Sequence, residues 1–212
     1  IKDFTKPVDI PAVDVPAGYT TLFVFPYSVG FQFSGFKNLA ALNEAITKRL
    51  KNLGVTTLLF MRHLELIEYE IKIPGKEASG EYLLDAEPIN DHCTRVSAIE
   101  SEDDKTDESL SFIKFSMPID SRVSTRTIDV AFTVATDKEG KTTFQKAKNP
   151  YISVYFPTET ESKLDFIVQG PFRTTPNRSS VPADEEENEA LAEQTAKLLR
   201  QSVLELRDMG LL

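Results

Sequence analysis

Two arginines five residues apart, Arg173 and Arg178, stand in a stretch otherwise made of hydroxyls, an amide and a proline: Arg173-Thr174-Thr175-Pro176-Asn177-Arg178-Ser179-Ser180. A guanidinium stays charged at any physiological pH and offers a planar fork of donors that matches two oxygens of a phosphate or carboxylate. Thr174, Thr175, Asn177 and Ser179 add neutral polar groups beside it. The chemistry open to such a stretch is binding of an anion, or stabilisation of charge on a phosphoryl group in transfer. The plainer alternative is a surface loop whose arginines pair with acidic neighbours, and residue types alone weigh towards it.

The other chemical candidates are weaker. His63, His92 and Cys93 are the only imidazole and thiol side chains, and none of them forms a pair at zinc-ligand spacing. His92 and Cys93 are neighbours in a predicted strand, so they point to opposite faces and make a poor nucleophile–base pair. Carboxylates gather in acidic runs that read as solvated, with nothing to place two of them across a cleft as glycoside hydrolysis requires. The chain has no GxxxxGKS or GxxxxGKT, no GxGxxG and no GxSxG, hence no phosphate-cradling glycine loop and no nucleophile elbow.

The arginine stretch is expected to hang between a strand and a helix. Leu164, Phe166 and Val168 alternate with Asp165, Ile167 and Gln169, and Gly170-Pro171 then ends the ladder. Beyond the loop, Asp184 reads as a helix cap with Glu187 in capping-box spacing, and acidic residues crowd the positive helix end. Leu191, Leu198 and Leu206, with Leu199 and Val203 more loosely, fall on one side of that helix. A helix start adds backbone donors for an anion, although the acidic turn offsets part of that field.

Earlier in the chain, Pro7, Pro11 and Pro16 predict an extended lead-in to an apolar strand over Leu22–Tyr27, and a linking segment with Gly30 and Gly35 follows. A helix is predicted from about Asn38 to Asn52, with an apolar stripe of Leu39, Leu42, Ile46, Leu50 and Leu53 to pack on a sheet, Lys48, Arg49 and Lys51 at its negative end, and Gly54 to stop it. Val55–Met61 reads as a buried strand. Further strands are expected at Ile67–Ile73, Gly80–Ala86 and His92–Ile99, and the acidic run Glu100–Glu108 as a solvated loop. Ile113–Ile119, Ile128–Val134 and Ile152–Phe156 alternate again, with a turn at Asp137–Gly140. Connections this short imply antiparallel pairing. The fold class expected is α+β: mostly antiparallel sheets in two-layer packing, one helix near the N-terminal third and a long C-terminal one. Residues 1–100 would form a strand–helix–strand unit and 109–212 a sheet with the C-terminal helix, joined by the acidic linker 100–108.

The chain has 212 residues, 41% hydrophobic and 27% charged, which is ordinary for a globular protein able to bury a core. Its net charge of -9 disfavours nucleic acid and anionic membranes as partners. No apolar run is long enough to span a bilayer, no signal peptide opens the chain, and the lone cysteine fits a reducing cytoplasm. Ile1 in place of a starting methionine reads as a piece of a longer polypeptide.

A strand, then Gly170-Pro171-Phe172-Arg173-Thr174-Thr175-Pro176-Asn177-Arg178-Ser179-Ser180-Val181-Pro182, then a long helix resembles the end of the first middle-domain unit of the ninety-kilodalton heat-shock chaperone. With Phe156-Pro157-Thr158 and Gln169-Gly170-Pro171 it is more similar still to bacterial proteins with a sacsin-type, heat-shock-chaperone-like ATPase module. Gly18 to Tyr27, the first helix and Leu58 to Ile71 resemble the last strands of such an ATPase domain. The resemblance implies a piece of an ATPase of the gyrase, heat-shock chaperone, histidine-kinase and MutL superfamily. In that family a basic residue of the middle domain reaches the γ-phosphate of ATP held by the nucleotide domain. By position this would be Arg178, with Arg173 the alternative and Thr174, Thr175, Asn177 and Ser179 shaping the loop. The asparagine-bearing helix that binds Mg²⁺, the Asp-x-Gly-x-Gly adenine loop and the glycine-rich lid are missing from this sequence and would lie before Ile1. ATP and Mg²⁺ would then be bound only through that upstream nucleotide-binding domain, leaving this piece inactive alone and coupling ATP state to a protein client or downstream domains. From a different class, a non-catalytic interaction module with a purely structural arginine loop remains open, as does a free-standing enzyme.

Overall fold

A computed structural model describes residues 17–20, 35–103, 105–120, 123–148 and 150–212. The expected lead-in through Pro16, the strand Leu22–Tyr27 and Gly30 lie outside the described residues. The chain divides into two compact units, Ile1–Ile46 and Thr47–Leu212.

Helix α1 (Leu39–Lys51) begins where Asn38 accepts the Ala41 N–H on its side chain at 2.9 Å, a cap that replaces a missing intrahelical partner. Gly54 ends the segment with φ +84°, a left-handed conformation that costs glycine little. The apolar stripe is less uniform than its spacing predicts: Leu42 is buried, but Ile46 and Leu53 stay partly exposed. The helix's last turn, which belongs to the second unit, is tied to a sheet. The Tyr82 hydroxyl donates to the Leu50 carbonyl at 2.7 Å, and Lys51 pairs with Glu102. Burial, followed by the Glu100 charge, pushes the Tyr82 phenol up to about 12, so it stays a donor.

In the second unit the described residues form nine strands: β1 (Leu66–Ile71), β2 (Ala78–Pro88), β3 (Cys93–Glu102), β4 (Lys105–Asp120), β5 (Val123–Thr136), β6 (Thr142–Phe144), β7 (Tyr151–Val154), β8 (Phe156–Glu161) and β9 (Ile167–Gln169). They build one sheet in the order β1-β2-β3-β4-β5-β9-β7-β8, with β6 also on β5. Helix α2 (Glu186–Asp208) closes the chain. The fold is α+β with a mostly antiparallel sheet.

Every strand pair is antiparallel except β7 and β9, which run parallel with Ile152 opposite Val168 and Ser153 opposite Gln169. The reason is local. β7 and β8 form a hairpin through Tyr155 (φ +66°), so β8 takes one side of β7. The chain then returns in the direction of β7 and inserts on its other side, against β5. This hairpin also breaks the alternation Ile152, Val154, Phe156: Phe156 lies past the turn and is 53% exposed.

Two apolar layers cover the sheet. On one face Ile113, Phe115, Ile128, Val130 and Val168 pack with Leu191, Leu198 and Leu206 of α2. On the other, Phe112, Ala131 and Ile167 pack with Tyr82, Leu84, Val96 and Leu58–Phe60. Val55–Met61 is therefore buried as predicted but is no strand. It is a chain of tight turns, with Thr57, Leu59 and Met61 N–H groups donating to the carbonyls of Gly54, Thr56 and Leu58. A coiled segment sets several large side chains onto one sheet face, which an extended one with alternating side chains cannot. The acidic run 100–108 also differs from the expected solvated loop. β3 continues to Glu102, the chain turns at Asp103 (φ +48°), and β4 starts at Lys105. The two strands pair from Cys93–Phe115 to Glu102–Lys105, so backbone pairing carries the acidic residues into a hairpin.

Along α2 the buried positions are Asn188, Leu191, Leu198, Ser202 and Leu206, a stripe that replaces the expected Val203 with Ser202. The Ser202 hydroxyl lies inside because it donates to the Leu198 carbonyl at 2.9 Å. Leu198 is 2% exposed and Val203 42%. Urea titration should therefore show Leu198→Ala losing about 3 kcal/mol of stability and Val203→Ala under about 1 kcal/mol. Equal losses would mean that α2 turns a different face to the sheet.

Candidate functional site

The arginine loop is set by three elements. Its inlet is β9, shorter than the predicted Leu164–Gln169 strand because the chain bends at 164–166 and pairs with β5 and β7 only over Ile167–Gln169, which are all buried while Leu164 and Asp165 stay exposed. The Gly170 N–H makes one more bond, to the Ser153 carbonyl at 3.1 Å, before Pro171 ends the ladder. A Cβ at Gly170 would fall 2.8 Å from the Phe172 ring, so glycine is what lets Phe172 fold back into the core.

Asn188 in the first turns of α2 clasps the loop. Its Oδ1 accepts the Arg173 N–H at 2.7 Å, and its Nδ2 donates to the carbonyls of Arg173 at 3.1 Å and Pro182 at 2.8 Å. The third support is β8, whose Glu159 N–H donates to the Ser179 carbonyl at 2.7 Å, while its Thr160 hydroxyl accepts the Val181 N–H at 2.9 Å.

Within the loop the polar side chains bind one another. The Thr175 N–H donates to the Ser180 carbonyl at 2.9 Å and the Thr175 hydroxyl accepts the Ser180 N–H at 3.1 Å. Asn177 Oδ1 accepts from the Thr175 hydroxyl at 2.7 Å, the Ser179 hydroxyl at 2.9 Å and the Ser179 N–H at 3.2 Å. Thr174 is half-buried beside them.

The two arginines meet different fates. Arg173 reaches the start of α2, where Nε and an Nη donate to the two Glu187 oxygens at 2.7 and 3.0 Å and Glu185 stands 3.8 Å from the other Nη. These bonds and charges, Glu187 first, raise its pKa further. Arg178 is exposed at the loop tip with φ +59°, a left-handed backbone rare for a side chain of this size, and its N–H donates to the Thr175 carbonyl at 2.7 Å. It forms no ion pair with any described residue.

The helix start departs from the capping box expected at Asp184 and Glu187. Glu185 occupies the cap position without a side-chain cap bond, and α2 starts at Glu186. Glu187 is held instead by a bidentate, charge-assisted pair with Arg173, stronger than a reach back to a neutral N–H.

His63 is exposed in a bend, and His92 Nε2 lies 2.6 Å from Glu205. Cys93 is buried, and burial with the Glu205 charge pushes its thiol up to about 11, far from a reactive thiolate. Among the described residues no three His, Cys, Asp or Glu side chains gather as a metal site would need.

One charged cluster is not legible in the sequence. Asp129 on β5 is buried on the face opposite α2 and accepts from the Thr127 hydroxyl at 3.0 Å, which in turn accepts from Arg62 at 3.0 Å. Lys114 of β4 donates to the Leu59 carbonyl at 3.3 Å, and burial lowers its pKa. Both residues sit at polar positions of alternating strands, which read as solvent-facing until a second layer covers that face. Burial raises the Asp129 pKa more than the Ser116 and Thr127 hydrogen bonds and the charges of Lys114 and Arg62 lower it.

Comparison with known protein families, with characterised proteins and with solved structures finds no match. No described helix is long and apolar enough to cross a membrane.

A raised folded-state pKa means that Asp129 contributes least against unfolding once it must ionise. Stability from this group is fully present below the unfolded value of about 4 and is lost as pH rises through the folded value. Urea titrations from pH 4 upward should show the wild type losing stability relative to Asp129→Asn. Parallel curves would place the carboxylate in a wetter setting than the fold describes.

Proposed function

We propose that this chain is a segment of a chaperone-like ATPase, in which Arg178 reaches the γ-phosphate of ATP held with Mg²⁺ by a separate nucleotide-binding domain. Nucleotide state is passed through it to a protein client or to downstream domains. The observation that carries this reading is the contrast between the two arginines. Arg173 is neutralised by Glu187 and Glu185, whereas Arg178 stands exposed on a braced turn and meets no carboxylate among the described residues, in a chain of net charge -9. An arginine kept clear of so many acids is suited to an anion brought from outside.

The donor set fits a phosphate. The guanidinium of Arg178 is exposed, and the turn beneath it is closed by hydrogen bonds that no ligand has to displace. MgATP in the partner domain supplies the phosphoryl group. Arg178 contributes a fixed positive charge where negative charge builds up, and a braced turn lowers the cost of ordering it at that moment. The hydroxyls of Thr175 and Ser179 are engaged within the loop, so their part is to shape it.

In the polypeptide that joins this segment to its nucleotide domain, Arg178→Ala is expected to lower the kcat of ATP hydrolysis by on the order of 10³-fold, with Arg178→Lys in between. Activity within about twofold of wild type would overturn the assignment. The reading left standing would be a non-catalytic interaction module, for which Val203, Leu204 and Leu212, exposed along and beyond the last turns of α2, are the apolar residues to test.

A further inference from the structure

Asn188 is among the few polar residues in the buried stripe of α2, at 5% exposure, and its amide makes three hydrogen bonds. Two go to the main chain of Arg173, one in each direction, and the third goes to the Pro182 carbonyl. Arg173 and Pro182 are the two ends of the loop that carries Arg178. A single side chain thus closes the loop at its base, in the way a paired strand residue would, and joins it to the first turns of a helix packed on the sheet. Without Asn188 the Arg173 N–H and the Pro182 carbonyl would have no partner from α2, and beyond its internal bonds and the buried Phe172 the loop would be tied to its surroundings by β8 and the exposed pairs of Arg173 with Glu187 and Glu185. Exposed ion pairs hold geometry poorly, because they are screened and solvated.

We infer that Asn188 is the positioning residue of the arginine loop: its carboxamide, carried by α2, sets where Arg178 stands. The inference rests on the γ-phosphate reading for its catalytic part and on geometry alone for its structural part. Asparagine suits the task because one planar group both accepts and donates, which neither aspartate nor a hydroxyl of the same reach can do for these three partners. The bonds run to backbone, so the loop's path depends on Asn188 whatever side chains the loop carries.

Two measurements test the two parts separately. In this chain, hydrogen exchange at the loop amides of residues 173–181 should speed up in Asn188→Ala by about tenfold or more, while the amides of β4 and β5 remain as protected as in the wild type. Unchanged loop exchange would overturn the inference, and loss of protection across the sheet would show Asn188 to be a general core residue, which overturns it as well. In the joined polypeptide, Asn188→Ala should lower kcat by on the order of 10²-fold with the KM for ATP unchanged, because the nucleotide is held elsewhere. Asn188→Asp, which keeps the bond from the Arg173 N–H and loses the two donors, should fall between. The Arg178→Ala/Asn188→Ala double variant should be no slower than Arg178→Ala alone. A full kcat in Asn188→Ala beside a crippled Arg178→Ala would overturn the catalytic part. An active Arg178→Ala would overturn the γ-phosphate reading and that part with it, and the exchange result would still decide whether Asn188 fixes the loop.

Discussion

Burial of the central strands on both faces is the constraint from which the rest of this structure follows. β4 and β5 are covered by α2 on one side and by the turns of Val55–Met61 on the other. An antiparallel sheet can leave one face to solvent, and its strands then alternate in and out. Here polar positions of the alternation are also enclosed, and a buried polar group without a partner is costly. Asp129 is partnered through Thr127 and Arg62 and Lys114 reaches a backbone carbonyl, whereas Gln169, opposite Asp129 in the register, keeps a buried Oε1 with no hydrogen-bond partner. β9 contributes three residues enclosed on both faces, and Gly170-Pro171 then takes the chain out of the sheet into the arginine loop.

The loop illustrates how local geometry separates residues of equal chemistry. Arg173 and Arg178 differ little in their sequence surroundings. Arg173 follows the clasped backbone at the base of the loop and lies beside the first turn of α2, where two glutamates wait. Arg178 is carried away from that turn by a closed network around Asn177 and by its own left-handed backbone. Strain of this kind persists where the surroundings hold it, and here it presents one cation to solvent. The acidic character of the helix start has a double effect: it favours the helix and it neutralises Arg173.

Much of the fold was legible because it depends on short-range pattern. The periods of α1, α2, β1 and the long hairpin strands, the turn at Asp137–Gly140 and the stop at Gly54 all follow from neighbours in the chain. The failures share one cause. Local polarity misplaces Val55–Met61, the acidic run, Val203 and Phe156, because what lies across from each decides its structure: a sheet face, a pairing strand, a buried serine or a hairpin turn. The Asp184–Glu187 cap failed in the same way, because Arg173 offered Glu187 a better partner than its own helix.

By itself the sequence determined the α+β class, the two helices, the place of the loop between a strand and α2, and the residue types able to meet an anion. These rest on periodicity and side-chain chemistry, which are properties of adjacent residues. Only the tertiary structure decided which arginine is held and which is presented, that Asn188 closes the loop, and that Asp129 is internal. Those outcomes depend on distances between groups far apart in the chain, such as Asn188 and Arg173 or Arg62 and Thr127, and they exist only once the two layers have closed over the sheet.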